Sequence, residues 1–182
     1  MKIAFTPKVA DRMINRAKRT FIRYPSRSVS PDWKHALAGL QVFIVINLKL
    51  KTTAGCATFM RQRAARKVFQ IPKELKPTLV DDVLGYFIME INPKLVVAGT
   101  PKEVYDTVSH ELAHCLDFKI RGFFGKDDNS FHDHFWSFLH KRMGGNGERF
   151  IQESFLIPAY KRVFRRAKKI QEDFKPIDSK EL

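Results

Sequence analysis

Two cysteines in 182 residues are too few for a disulfide framework or a four-cysteine zinc site. Cys56 and Cys115 read instead as free thiols of a reducing compartment. Long apolar runs are missing as well. The longest, Val42 to Leu48, is interrupted by Asn47 and falls far short of the roughly 20 residues that cross a bilayer. The opening stretch, MKIAFTPKVADRM, has no apolar segment of the kind a secretory signal needs. A soluble, cytoplasmic protein that is neither exported nor embedded in a membrane is therefore expected. Internal repeats and low-complexity tracts are also absent. Acidic residues are scarce: 19 Asp and Glu stand against 33 Lys and Arg, a net charge of +14. What is plentiful is core material, 44% hydrophobic residues with 16 Phe, in a length that suits one domain.

So large a positive charge on a small chain attracts polyanions, nucleic acid before anionic membrane. The cations gather in three places, Arg12 to Arg27, Arg61 to Lys67, and Lys161 to Lys169. The last of these is flanked by Ile157, Tyr160 and Phe164 at helical spacing. It reads first as a solvated helix packed by one stripe, and second as a nucleic-acid contact. Charge of this kind gives phosphate affinity with strong salt dependence and no base specificity. Binding to nucleic acid through basic helices, in the cytoplasm or on the nucleoid, is the expected partnership. The oligomeric state is not read from the sequence.

Pro7 to Arg23 reads as a helix, with Val9, Met13, Ile14, Ala17 and Phe21 on one face. Tyr24 to Asp32 reads as a loop. Gln41 to Lys51 and Gly55 to Gln62 read as strands, Ile71 to Pro77 as a connection, and Val80 to Tyr86 as a short helix. Phe87 to Ile91 reads as a strand ending at Asn92-Pro93. Thr100, Pro101 and Glu103 then supply a capping residue, a proline for the first helical position and a glutamate three after the cap. Val104, Val108, Leu112, Cys115 and Leu116 continue at helical spacing, and the helix is expected to end near Gly122. Ser130-Phe131-His132-Asp133 resembles a second capping pattern, ahead of a helix with Trp136, Leu139 and Met143 on one stripe and Gly144-Gly145 at its end. A C-terminal helix and a loose tail after Phe174 follow.

Within the first of these capped helices lies His110-Glu111-Leu112-Ala113-His114, an HExxH pattern. Residues four apart share a helix face, so both imidazoles reach one metal ion. Glu111 sits about 100° round from His110, near enough to address a metal-bound water without being a ligand. Zinc lowers the pKa of such a water to about 7, and Glu111 is then placed to take its proton as it attacks a carbonyl. Five of the six histidines fall between positions 110 and 140, a crowding that favours a metal site.

A hydrolytic zinc needs a third protein ligand and an open fourth position. The metzincin extension is excluded, because Asp117 and Ile120 stand where it requires Gly and His. Glu148 and Glu153 are available carboxylates without further signal. His132 and His134 are the better candidates. If Ser130 caps the following helix, His132 shares the stripe of Trp136, Leu139 and Met143 that faces the first helix. His134 then falls on the Phe138 and Lys141 side and stays as the alternative ligand. His140 is expected to be structural or exposed, and His35 ordinary. Cys115, about 140° round from His110, is expected to face the core.

The chain resembles the SprT-like zinc metallopeptidases, a group that includes the Spartan DNA–protein crosslink proteases. The blocks that carry the resemblance run from about Thr53 to Gly145. They are Thr53-Ala54-Gly55-Cys56-Ala57, Met89-Glu90-Ile91-Asn92-Pro93-Lys94-Leu95, Thr107-Val108-Ser109 leading into HELAH, and His132-Asp133 followed by Trp136. The resemblance implies zinc ligands at His110, His114 and His132 and a general base at Glu111. It implies an α+β fold with a small zincin-like core, a twisted sheet over the HExxH helix, flanked here by basic helices. The whole of residues 1–182 is then one SprT-like metallopeptidase domain. Residues 1–30 are a basic N-terminal helix, and residues 147–182 a basic C-terminal helix and tail. An edge strand near Ala54 to Met60 is implied to pair with an extended substrate peptide. The implied function is a zinc-dependent endopeptidase acting on proteins or peptides, those bound to nucleic acid included. The alternative is a non-catalytic nucleic-acid-binding module with a structural zinc.

Overall fold

The computed structural model describes residues 5–23, 29–50, 53–122 and 132–147, with residues 166, 169, 170 and 174 beyond them. These residues form a mixed α+β fold. Helix α1 (Pro7–Arg23) buries Ala10, Met13, Ile14, Ala17 and Phe21, the face expected from its spacing, with Val9 half-buried at its margin. A second helix, α2 (Pro31–Ala38), starts where a loop is expected. Ser30 Oγ accepts a hydrogen bond from Asp32 N at 3.2 Å, and Pro31 takes the first position. Of the expected C-terminal helix only Arg166, Lys169 and Ile170 are described, and these are helical; the rest of it and the carboxylates Glu148 and Glu153 lie outside the described residues.

The sheet is built round one long strand. β1 (Val42–Ile46) and β2 (Gly55–Arg61) flank β4 (Val83–Ile91), β1 parallel and β2 antiparallel. In β4, Phe87, Met89 and Ile91 join the main core under the helices, while Tyr86 and Ile88 point to a second cluster with Ala65 and Ile71. That period-two division is why the strand reads as an unbroken apolar run: both faces are covered. Helix α3 (Gln62–Val68), which covers the second face with Ala65, follows β2 with no side-chain cap at Arg61, so no local signal announces it.

The short helix expected over Val80 to Tyr86 is not formed. β3 (Thr78–Val80) pairs antiparallel with the start of β4 through a two-residue turn. Asp81 and Asp82 both adopt positive φ, 46° and 61°, as a tight hairpin between twisted strands requires. Asp tolerates that conformation better than most residues. Without a glycine, the turn left only apolar spacing to read, and that spacing looked helical.

Helix α4 (Pro93–Ala98) is capped by Asn92, whose Oδ1 accepts from Lys94 N at 2.8 Å. The Asn92 amide also donates to the Thr53 carbonyl at 2.7 Å, and its backbone N–H to the Ala54 carbonyl at 2.8 Å. One buried side chain thus fixes the start of β2 against the end of β4. Helix α5 (Pro101–Arg121) has the expected capping box, Thr100 with Glu103, and stops at Gly122 with φ 82°. It runs under β2 and packs on α1 and on α6 (His134–Arg142). Phe118 near its end closes a three-ring contact with Phe59 and Phe87 at centroid distances of 5.2 and 5.7 Å. This locks the helix to the sheet. No helix among the described residues is long and apolar enough to cross a membrane.

Candidate metal centre

α5 carries His110 and His114 one turn apart, both buried, and α6 begins just beyond His132. The Nε2 atoms of the three rings form a nearly equilateral triangle, 3.2 Å between His110 and His114 and 3.1 Å from each to His132. A nitrogen that carries a proton has no lone pair to accept with, so three Nε2 atoms cannot satisfy one another by hydrogen bonds. Three lone pairs directed at one cation are satisfied together. A tetrahedral ion with Zn–N bonds of about 2.0–2.1 Å needs its nitrogens about 3.3 Å apart, close to the spacing found. The donor set therefore fits a single divalent metal, and the three histidines form the one group among the described residues that could hold such an ion.

Burial and mutual repulsion keep the His110 and His114 rings neutral, the state in which they bind a metal. Burial, then the charge of neighbouring histidines, pushes His110 down to about 2 and His114 to about 3. Trp136 walls the cluster, its ring centroid 4.5 Å from His110, 4.5 Å from His132 and 5.2 Å from His114, where the planes stack. Behind it His140 is fully buried, 3.2 Å from Ser109 Oγ and with its ring 5.3 Å from that of His110. Of the two expected readings of His140, structural or exposed, burial excludes the second, and the ring is in closer contact with the site than its sequence position suggests.

The structure separates the two candidates for third histidine. His132 completes the triangle, whereas His134 is exposed and outside it. The expected capping residue needs correction, however. Asp133, not Ser130, caps α6, its Oδ1 accepting from Trp136 N at 2.9 Å, so His132 precedes the helix and does not share its stripe. Cys115 is buried in the main core, away from the histidines, as its helical angle requires. His35 is exposed on α2.

Glu111 is buried against β2, and burial pushes its carboxyl up to about 8, partly offset by a hydrogen bond accepted from the Ala57 backbone N–H. Room for this carboxyl depends on Gly55, where a Cβ would stand 2.9 Å from Glu111 Oε1. β2 pairs on one side only, with β4, so its other side is a sheet edge among the described residues. Gly55's part in seating Glu111 has no local signature; it follows from the crossing of α5 beneath β2.

Over residues 12–155 the chain matches the model of the SprT-like family, and it belongs to that family. Neither a curated protein nor a solved structure matches it.

Proposed function

We propose that this SprT-like protein is a zinc-dependent endopeptidase with a zincin-like core, in which His110, His114 and His132 hold the ion and Glu111 is the general base. The observation that carries the reading is the convergence of three Nε2 atoms, 3.1–3.2 Å apart, one residue from a buried carboxyl that faces an edge strand. Zinc held by His110, His114 and His132 would supply a Lewis acid for the scissile carbonyl and would lower the pKa of a bound water to about 7. Glu111 takes the proton released as water attacks and passes it to the departing amine. The open edge of β2 receives the substrate as an added strand, which lays its backbone along the side where Glu111 sits.

Nucleic acid is the partner best suited to α1. Lys8, Arg12, Arg16, Arg19 and Arg23 are all exposed and recur every three or four residues, so they form one cationic row about 22 Å long. A row of that kind follows a phosphate backbone without reading bases. The free thiols suit the reducing cytoplasm or nucleoid where such a partner is found.

The test combines metal content with cleavage of casein or histones. Glu111→Gln is expected to keep one zinc per chain and lose cleavage; retained cleavage rejects Glu111 as base. His132→Ala is expected to lose zinc, and His134→Ala to keep it. Gel shifts at rising salt, run beside these assays, separate the alternative. If the wild type binds nucleic acid and loses binding with a chelator but cleaves nothing, the zinc is only a staple between helices.

A further inference from the structure

His132 lies outside any helix, so helical hydrogen bonds do not hold it in the triangle. Its neighbour Asp133 is held from two directions. Oδ1 caps α6 through Trp136 N, and Oδ2 accepts from Arg121 Nη1 at 2.7 Å. The same guanidinium grips Asp117 on α5 through both Nε and Nη2. Its plane also lies over the Phe135 ring, 4.8 Å from the centroid. Asp117 follows His114 by three residues, and Asp133 follows His132 by one. One rigid, planar cation therefore ties the helix that carries two histidines to the residue beside the third.

We propose that Arg121 is a positioning residue for the metal centre: by bridging Asp117 and Asp133 it fixes the turn that presents His132 to His110 and His114. The inference rests on the metal reading above. Geometry supports a positional role over a merely stabilising one. The Arg121–Asp133 pair is 42% and 30% exposed at its two side chains, and an ion pair so open to water contributes little to folding, whereas the pair with Asp117, 9% exposed, also steadies α5. Its three directed bonds nevertheless fix the orientation of the turn, which a point charge such as Lys cannot do. A ligand supported in this way loses metal affinity when the support is removed, typically by 10–100-fold.

The experiment compares zinc affinity in the full chain, measured by competition with a chromogenic chelator, and the visible absorption of the cobalt-substituted protein. The variants are Arg121→Gln, Arg121→Lys and Asp133→Asn, the last of which keeps a capping side chain for α6. Arg121→Gln and Asp133→Asn are expected to weaken zinc binding by about 10–100-fold and to reduce the tetrahedral cobalt band, while the melting temperature of the metal-free protein stays close to wild type in Asp133→Asn and falls in Arg121→Gln, which leaves the buried Asp117 without its cation. Arg121→Lys is expected to fall between these and wild type. Unchanged affinity and an unchanged cobalt spectrum in both Arg121→Gln and Asp133→Asn overturn the proposal. So does a loss of affinity that only tracks a loss of metal-free stability in both variants. A wild-type protein that takes up no zinc overturns the metal reading itself, which is a different result from zinc bound equally well by every variant.

Discussion

Gly55 and Glu111 share a single space: a Cβ on Gly55 would lie 2.9 Å from Glu111 Oε1 and 3.0 Å from its Cγ. The same Cβ would stand 2.9 Å from Thr107 Cγ2, so α5 meets this point of β2 with two side chains. Gly55→Ala must push the carboxyl away from the strand edge or lift the strand from the helix. We expect cleavage to fall by at least tenfold with zinc content unchanged, and stability to drop by about 1–3 kcal/mol from overpacking. Kinetics and metal analysis on the same preparation check it; an active Gly55→Ala protein would show that the Glu111 position has no bearing on turnover.

The metal-free protein is expected to be most stable near pH 6.5. Burial pushes His110, His114 and His140 down to about 2, 3 and 4, from an ordinary value of 6.5. Below pH 6.5 the unfolded chain binds protons at these positions and the folded chain does not. The stability they contribute is therefore complete above that pH and is lost as pH falls. Glu111 works the other way. Raised to about 8 from 4.5, it holds a proton in the fold that the unfolded chain releases, so stability falls as pH rises from 4.5 to 8. Each group accounts for up to about 1.4 kcal/mol per pH unit in its window. Between pH 5 and 6.5 three imidazoles outweigh one carboxyl, and above 6.5 Glu111 acts alone. Denaturant midpoints of the chelated protein at pH 5, 6.5 and 8 check the maximum. Glu111→Gln is expected to remove the alkaline decline and leave the acid one.

Much of the site was legible because it is local. The i, i+4 histidines, Glu111 between them and the Thr100–Glu103 capping box all lie on α5, where spacing along the chain is spacing in space. Asn92-Pro93 likewise marked the end of β4, though the helix α4 that starts behind it was not read. What the sequence concealed depends on meetings between elements. His132 was favoured on the premise of a Ser130 cap. It enters the site by another route, held beside Asp133, whose partner Arg121 is twelve residues away. The β3–β4 hairpin was hidden because Asp81 and Asp82 make its turn without glycine. α3 was hidden because a strand passes straight into it without a cap.

Asn92 gives a stability prediction free of the metal. Its fully buried side chain caps α4 and donates to Thr53, and both bonds vanish in Asn92→Ala. Loss of a cap costs about 0.5–2 kcal/mol, and loss of the bond to the carbonyl of Thr53, an exposed residue, about 0.5–1.5 kcal/mol. We expect a total of about 1–3 kcal/mol by denaturant titration. Since Thr53 leads into β2, cleavage by the remaining folded protein is expected to fall as well.

Trp136 separates packing from polarity at the histidine cluster. Its ring touches all three candidate ligands, yet its buried Nε1–H has no hydrogen-bond partner among the described residues. Trp136→Phe keeps an aromatic wall and removes that unpaired donor. The lost contact area and the relieved donor oppose each other, each of about 1–3 kcal/mol, so the net change is expected to be small. Zinc affinity is expected to stay within a few-fold of wild type. Trp136→Ala removes the wall itself. It should cost about 3–5 kcal/mol and leave His110, His114 and His132 without the surface that fixes their rings, so zinc affinity falls with stability. Paired denaturation and chelator titrations of the two variants decide the matter. If Trp136→Phe loses zinc as badly as Trp136→Ala, the indole nitrogen has a role that ring packing does not describe.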